Sequence, residues 1–232
     1  MHLQQLESAM SDKIEYRKIN VFTGHFGSGK TEVAVNYAFY LASLGLKTVI
    51  VDLDIVNPFF RTKDAEEALT KAGIKVIASQ YANTNVDVPA VSPEVYSVFE
   101  DTESYVILDI GGDDLGAKAV ARFKNEIEAN DYQILFVVNY LRPFTDSQDK
   151  MKTMLSEIEE SSHIKVTGIV NNTNLMELTT AEELIEGRTE IEDFSRESGL
   201  PILFECYMKE NDVIEHKYPV LSLDKYIKII WD

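Results

Sequence analysis

Short apolar segments alternate along the chain with longer segments in which apolar residues recur every three or four positions. The apolar segments predict buried strands over 18–24, 47–54, 74–79, 104–110, 132–139, 164–172 and 201–206. The periodic segments predict helices over 29–45, 62–72, 115–130, 145–161 and 180–198. This alternation predicts an α/β fold, with a mostly parallel twisted sheet and helices on both faces in three layers.

The same pattern predicts one domain over residues 17–232, preceded by a flexible leader over residues 1–16. Residues 80–92 form a polar connection without clear periodicity. Residues 221–232 are mildly amphipathic and predict a last helix that packs on the core. No change of composition marks a second domain.

Composition and charge exclude several classes of protein. The net charge is −17 and no long basic segment occurs, which argues against partners such as nucleic acid and anionic membranes. No apolar segment approaches the roughly 20 residues of a membrane span. Cys206 is the only cysteine, so the chain has no internal disulfide and no cysteine-rich metal site. These features predict a cytoplasmic protein that binds neither nucleic acid nor membrane.

A phosphate-binding loop (P-loop) follows the first predicted strand. Gly24 is followed by four residues and then by Gly29, Lys30 and Thr31, at the boundary between a strand and a helix, as this motif requires. Lys30 is positioned to reach the β- and γ-phosphates, and Thr31 to bind Mg²⁺. The predicted nucleotide-binding residues of this segment are Gly24, His25, Phe26, Gly27, Ser28, Gly29, Lys30, Thr31 and Glu32.

Three aspartates end two other apolar strands. Asp52 and Asp54 lie two positions apart at the end of one strand, and Asp109 follows four apolar residues in another. Carboxylates suit Mg²⁺, so we predict that Thr31, Asp109 and one of the other two aspartates form the metal site. One of the Asp52–Asp54 pair is expected to lie near magnesium and the other to orient the attacking water.

The predicted strand 164–172 ends in the sequence NNTN. Asn171 or Asn172 is predicted to hydrogen-bond the purine base. A guanine-binding protein would be expected to place a carboxylate in this segment, so the sequence favours ATP over GTP.

These motifs resemble those of the MinD/ParA/CobQ-type P-loop ATPases. The resemblance rests on GHFGSGKT, VDLDIVNP, VILDIGG and GIVNN in that order, and it covers most of the chain from Lys18 onward. It implies seven or eight strands, Mg·ATP as ligand, a nucleotide-dependent homodimer and a protein partner. It also implies that Asp52 lies near magnesium, so that Thr31, Asp52 and Asp109 form the metal site. The resemblance further implies that Asp54 orients the attacking water, which makes Lys30 and Asp54 the catalytic residues.

The chain departs from the family pattern at His25, where the family places its signature lysine. Histidine is shorter and only partly charged at neutral pH, which argues against activation across a dimer by this residue. The leading hypothesis is a slow ATPase that acts as a nucleotide switch or an assembly factor for another protein. A small-molecule kinase or an amide-forming synthetase is the alternative, and a non-hydrolysing interaction module is the third reading.

Overall fold

The computed structural model describes residues 13–53, 65–78, 93–111, 114–208 and 214–227. Within these ranges the chain forms eight strands: β1 Ile19–Thr23, β2 Thr48–Leu53, β3 Lys75–Ala78, β4 Tyr105–Ile110, β5 Tyr132–Val138, β6 Gly168–Asn171, β7 Ile202–Met208 and β8 Val220–Leu223. The same ranges contain seven helices: α1 Lys30–Ser43, α2 Glu66–Lys71, α3 Pro93–Glu100, α4 Asp114–Arg122, α5 Lys124–Glu128, α6 Gln148–Ser162 and α7 Ala181–Ser198.

All eight strands join one sheet in the order β3-β2-β4-β1-β5-β6-β7-β8. Every neighbouring pair is parallel. The prediction of a parallel α/β sheet is therefore confirmed. The β1–α1 connection leaves the middle of the sheet, where β4 and β5 flank β1, so a ligand at this point meets the carboxyl ends of several strands.

Two apolar clusters cover the two faces of the sheet. On one face α1 and α2 pack against alternate strand residues such as Phe22, Ile50 and Ile107. On the other face α3, α4, α5, α6 and α7 pack against the intervening residues, such as Val21 and Leu108. Strands covered on both faces need apolar residues at nearly every position, which explains why their sequences lack polar alternation.

Three sequence-based expectations are corrected by the structure. The helix expected over 115–130 is two helices, and the break falls at Phe123, whose fully buried ring packs against Tyr96 and Phe99 of α3. Residues 221–223 belong to β8, so the expected C-terminal helix does not begin there and β7 is not the last strand. Helix α3 lies in a segment for which no element was expected.

The segment that precedes β1 contacts the domain. Ile14 is buried, and its carbonyl accepts a hydrogen bond from the Tyr40 hydroxyl. The predicted leader stays a prediction, because residues 1–12 lie outside the described ranges, as do residues 80–92. None of the described helices is long and apolar enough to span a membrane.

Candidate functional site

The P-loop connects the end of β1 to the first residue of α1. Gly24, Gly27 and Gly29 all have positive φ angles, of 151°, 81° and 82°, which glycine adopts without the strain that a side chain would add. The Ser28 amide donates to the His25 carbonyl at 3.0 Å and closes the loop. Gly29 caps α1 without a side-chain hydrogen bond, so the first N–H groups of the helix are available to an anion.

The loop places its polar side chains inside the protein. Ser28, Lys30 and Thr31 are all buried at the start of α1. The Ser28 hydroxyl oxygen has no hydrogen-bond partner among the described residues, although it is fully enclosed. Buried polar atoms are normally satisfied, so this hydroxyl indicates a place that a polar ligand completes.

Two predicted magnesium ligands are brought together by the register of the sheet. Asp52 in β2 and Asp109 in β4 are direct partners across the strand pair, and both are buried. Paired positions on parallel strands point to the same face, here the face covered by α1, which also carries Thr31. No three His, Cys, Asp or Glu side chains are grouped in the described ranges.

His25 and Phe26 lie at the mouth of the loop. The His25 ring stacks on the Phe144 ring, with centroids 3.8 Å apart and an interplanar angle of 21°. The His25 Nδ1 is 2.8 Å from the Phe26 carbonyl oxygen, so Nδ1 carries the proton and donates. Phe26 and Phe144 are about half exposed. The side chain that replaces the family lysine is thus held in an aromatic stack.

Glu32 fastens the C-terminal segment to α1. Its carboxylate accepts the amide protons of Tyr226 and Ile227 at 2.8 and 3.1 Å. One turn further along α1, the Asn36 side chain donates to the Asp224 carbonyl and accepts from the Asp224 amide, both at 2.9 Å. Burial raises the pKa of the Glu32 carboxyl above its ordinary value. We call these contacts of Glu32 and Asn36 with residues 224–227 the α1 clasp.

The two asparagines at the end of β6 have different contacts. Asn172 donates to the Ser28 carbonyl at 2.6 Å and accepts from the Asn174 side chain at 2.7 Å, so it links the β6 loop to the P-loop. Asn171 turns to the other face of the sheet, where its amide donates to Glu205 at 3.3 Å and its carbonyl oxygen accepts from the Thr173 amide. Only Asn172 of the two lines the cavity described next.

A cavity of about 50 Å³ lies between the P-loop and the ends of four strands. Glycines of the loop form one wall. Apolar and amide side chains form the opposite wall, together with Arg142 and Lys225. The lining residues are Gly27, Gly29, Glu32, Asn139, Arg142, Asn172, Asn174, Met176, Met208, Leu223 and Lys225.

Several residues in and around the site were not identified from the sequence. Asn139 donates to the Asn174 carbonyl at 2.8 Å and accepts from the Leu141 amide at 3.1 Å, which joins the loops after β5 and β6. Arg188 and Glu205 form a buried ion pair beside Asn171. A single glutamate inside an apolar strand is the signal that could have revealed this pair, whereas asparagines in turns are too common to stand out.

Some predicted residues lie outside the described ranges. Asp54 is the one member of the predicted site in this group, and its role as catalytic residue stays a prediction. The other predicted residues, from Gly24 to Glu32 with Asp52, Asp109 and Asn172, cluster at the carboxyl edge of the sheet around β1.

Solved structures with the same fold include two of FtsY and one of FlhF. FtsY from Mycoplasma mycoides is 17% identical over 84% of this chain, with a TM-score of 0.55. Cell division protein FtsY from Thermotoga maritima is 20% identical over 83% of this chain, and its TM-score is also 0.55. FlhF complexed with GTP and Mg²⁺ is 14% identical over 98% of this chain and 78% of its own, with 0.52.

The chain spans 62% of the length of each of these two FtsY structures. At these identities the likeness establishes the fold alone. No curated protein matches the chain. The family model of the CobQ/CobB/MinD/ParA nucleotide binding domain matches residues 19–204. The chain therefore belongs to the CobQ/CobB/MinD/ParA family of P-loop nucleotide-binding domains.

Proposed function

We propose that this protein binds Mg·ATP at the P-loop, hydrolyses it slowly and acts as a nucleotide switch or assembly factor for a partner protein. The observation that carries the proposal is the pairing of Asp52 with Asp109 across β2 and β4, on the face where α1 begins. Two buried carboxylates side by side repel each other, and a cation beside them relieves this repulsion. The P-loop would bring phosphate oxygens to the same place, so a cation there would be bound by the carboxylates on one side and by the phosphates on the other.

Each side chain has a distinct role in this proposal. Lys30 balances charge on the β- and γ-phosphates, while the Ser28 hydroxyl and the N–H groups of the first turn of α1 bind phosphate oxygens. Thr31, Asp52 and Asp109 hold Mg²⁺, which would neutralise the charge that develops on the phosphates. Asp54 orients the attacking water, as the family resemblance implies.

The base is assigned to the wall opposite the loop. Met176, Met208 and Leu223 provide apolar surface, and Asn172 provides an amide. A purine ring packs well against such surfaces, and its polar edge needs amide partners. The segment NNTN has no carboxylate that could bind the amino group of guanine, which supports ATP.

Apolar side chains at the mouth of the site support the role of a partner protein. Phe26, Phe144 and Leu178 are exposed by 53%, 55% and 79%, and they follow β1, β5 and β6, which are neighbours in the sheet. Exposed apolar side chains that line one edge typically mark a contact with another protein.

Arg142 supports a second candidate function, a small-molecule kinase or amide-forming synthetase. It lines the same cavity, and its Nε is buried without a hydrogen-bond partner in the part of the chain that the structure describes. Arginine at such a place suits an anionic acceptor group. ADP release that rises only with one member of a metabolite panel would favour this candidate over the switch.

Binding of ATP tests the site. We expect Lys30→Ala to weaken the binding of a fluorescent ATP analogue at least about tenfold, because the loop loses its charge–phosphate contact. Lys47→Ala is the matched control, since Lys47 is exposed at the opposite end of β2. Equal affinities of Lys30→Ala and the unaltered protein would show that the site is wrongly assigned.

The switch is tested by solution mass. Asp54→Asn should slow hydrolysis and hold the ATP state, so light scattering is measured with Mg·ATP, with Mg·ADP and without nucleotide. A dimer only in ATP supports a nucleotide-controlled assembly despite His25. One mass in all three conditions contradicts control of self-assembly and directs the search to an acceptor substrate near Arg142.

A further inference from the structure

Glu205 is a fully buried carboxylate that collects hydrogen bonds from three elements. Arg188 of α7 binds it with both prongs of its guanidinium, Nε to Oε1 at 2.7 Å and Nη2 to Oε2 at 3.0 Å. The Tyr207 hydroxyl donates to Oε2 at 2.7 Å. Asn171 at the end of β6 donates to Oε1 at 3.3 Å. The remaining arm of Arg188, Nη1, donates to the Glu215 carbonyl at 2.8 Å.

Stability alone does not account for this arrangement. Both ions lose their hydration, and a well-packed apolar pair of the same volume is commonly as stable as a buried ion pair or more stable. The surrounding positions on this face are apolar, among them Ile169, Ile191 and Phe194, so apolar side chains would suit the position. What the charged pair adds is direction, because a carboxylate held by a two-pronged donor has a fixed orientation.

That orientation is passed to the loop after β6. Asn171 is held at Glu205 by its amide nitrogen, and its side-chain oxygen accepts the Thr173 amide at 3.1 Å. The turn of the chain at residues 171–173 is thereby fixed. The residue within this turn is Asn172, which donates to the Ser28 carbonyl of the P-loop at 2.6 Å and lines the cavity.

Helix α7 also holds the loop by direct packing. A Cβ atom at Gly187 would lie 2.4 Å from the Thr173 Cγ2, so the helix backbone approaches the loop as closely as glycine permits. Arg188, the next residue, makes the ion pair. Two adjacent positions of one helix therefore hold this loop, Gly187 by direct contact with Thr173 and Arg188 through Glu205 and Asn171.

We propose that Arg188 and Glu205 are positioning residues that hold the Asn171–Asn174 loop against the P-loop and thereby set the affinity for nucleotide and the choice of base. The proposal rests on the proposed binding of nucleotide at the P-loop. Neither side chain lines the cavity, so the effect passes through Asn171 and Asn172.

The test separates positioning from stability by replacing the whole charged group. The variant Arg188→Met/Glu205→Leu/Tyr207→Phe removes all charges and hydroxyls of the network at similar volume, so its melting temperature should stay within a few degrees of the unaltered protein or rise. We expect its affinity for a fluorescent ATP analogue to fall about tenfold and the ratio of ATP to GTP affinity to change at least about threefold. A loss of phosphate contacts alone would lower both affinities equally.

Two further variants complete the experiment. Glu192→Gln/Lys217→Met removes an ion pair between partly buried Glu192 of the same helix and exposed Lys217, which precedes β8, and should leave both affinities unchanged. Asn171→Leu leaves the Arg188–Glu205 pair intact but cuts its link to the loop, so it should reproduce the change in base preference. If the triple variant does not fold, Asn171→Leu alone tests whether the network positions the Asn171–Asn174 loop.

Unchanged affinities and an unchanged ATP-to-GTP ratio in the folded triple variant or in Asn171→Leu overturn the proposal. So does a loss of affinity that is equal for ATP and GTP. Failure of the proposed function looks different, because the unaltered protein and the Glu192→Gln/Lys217→Met control would then bind neither nucleotide.

Discussion

The two walls of the cavity are held in different ways. The P-loop wall closes on itself through bonds between near neighbours, such as the Ser28 amide to the His25 carbonyl. The opposite wall is assembled from the ends of separate strands, and its supporting hydrogen bonds join residues up to 195 positions apart, as between Glu32 and Ile227. Two supports flank it, the α1 clasp and the Arg188–Glu205 pair.

This difference suggests that the P-loop wall binds phosphate and the opposite wall recognises the base. Phosphate is common to all nucleotides, and a short glycine-rich loop can bind it with backbone groups alone. The base distinguishes one nucleotide from another, and its pocket requires side chains from several strands in fixed relative positions. Changes to the loop should therefore affect all nucleotides alike, whereas changes to the supports should affect stability and base preference.

The largest loss of stability is expected from a substitution in the support of the opposite wall. Arg188→Ala leaves the fully buried Glu205 without its cation, so the free energy of unfolding should fall by about 3–5 kcal/mol in urea titrations. Arg196→Ala, an exposed position of the same helix, is the control and should cost no more than about 1 kcal/mol. Equal losses for the two variants would contradict the role given to the buried pair.

Alanine substitutions at two glycines of the P-loop test how much the contact between the two walls contributes to stability. Gly27 and Gly29 have almost the same φ, 81° and 82°, so alanine at either position costs about 1–3 kcal/mol in backbone strain. An added Cβ at Gly27 meets open space, whereas at Gly29 it would lie 2.4 Å from the Asn172 Nδ2.

We therefore expect Gly29→Ala to be less stable than Gly27→Ala by roughly 1 kcal/mol, because it also disturbs the hydrogen bond from Asn172 to Ser28. The measurement is the difference between their denaturation midpoints. If the two variants unfold at the same midpoint, the contact between the walls contributes nothing to stability.

A smaller effect, dependent on pH, is expected at the α1 clasp. Burial raises the pKa of Glu32 above 4.5, against the opposing effect of the Tyr226 and Ile227 amides and Asn36. The folded protein keeps this proton at pH values where the unfolded chain has lost it, so the contribution of Glu32 to stability falls as pH rises above 4.5.

Glu32→Gln removes this dependence. The melting temperature of the unaltered protein, relative to that of the variant, should decline as the pH rises above 4.5. Glu157→Gln, at an exposed position of α6, serves as the control. A relative melting temperature that rises with pH would show that the amide donors outweigh burial.

The smallest effect is expected at the mouth of the P-loop. Phe144→Ala removes the ring on which His25 stacks, but both rings lie near the surface, so the free energy of unfolding should change by about 1 kcal/mol or less. Calorimetry measures this change. A loss comparable to that of Arg188→Ala would mean that the P-loop wall also depends on distant contacts for its stability.

Much of the fold was predictable because its determinants are local. The apolar segments around Val21, Ile50 and Leu108 each predict a buried strand from a few neighbouring residues. The missed features depend on distant partners. Strand β8 has only four residues and becomes a strand through pairing with β7, and the break at Phe123 follows from the pocket that buries this ring.

The P-loop, its strand and helix, and the acids Asp52 and Asp109 can be identified from short stretches of sequence, because each is a local motif. The sequence does not show that Asp52 and Asp109 are neighbours, that Asn172 contacts the P-loop while Asn171 binds Glu205, or that Arg188 supports the loop from another helix; these contacts appear in the folded protein. These relations depend on strand order and register, which place side chains far apart in the chain within hydrogen-bonding distance. No local pattern of residues contains that information.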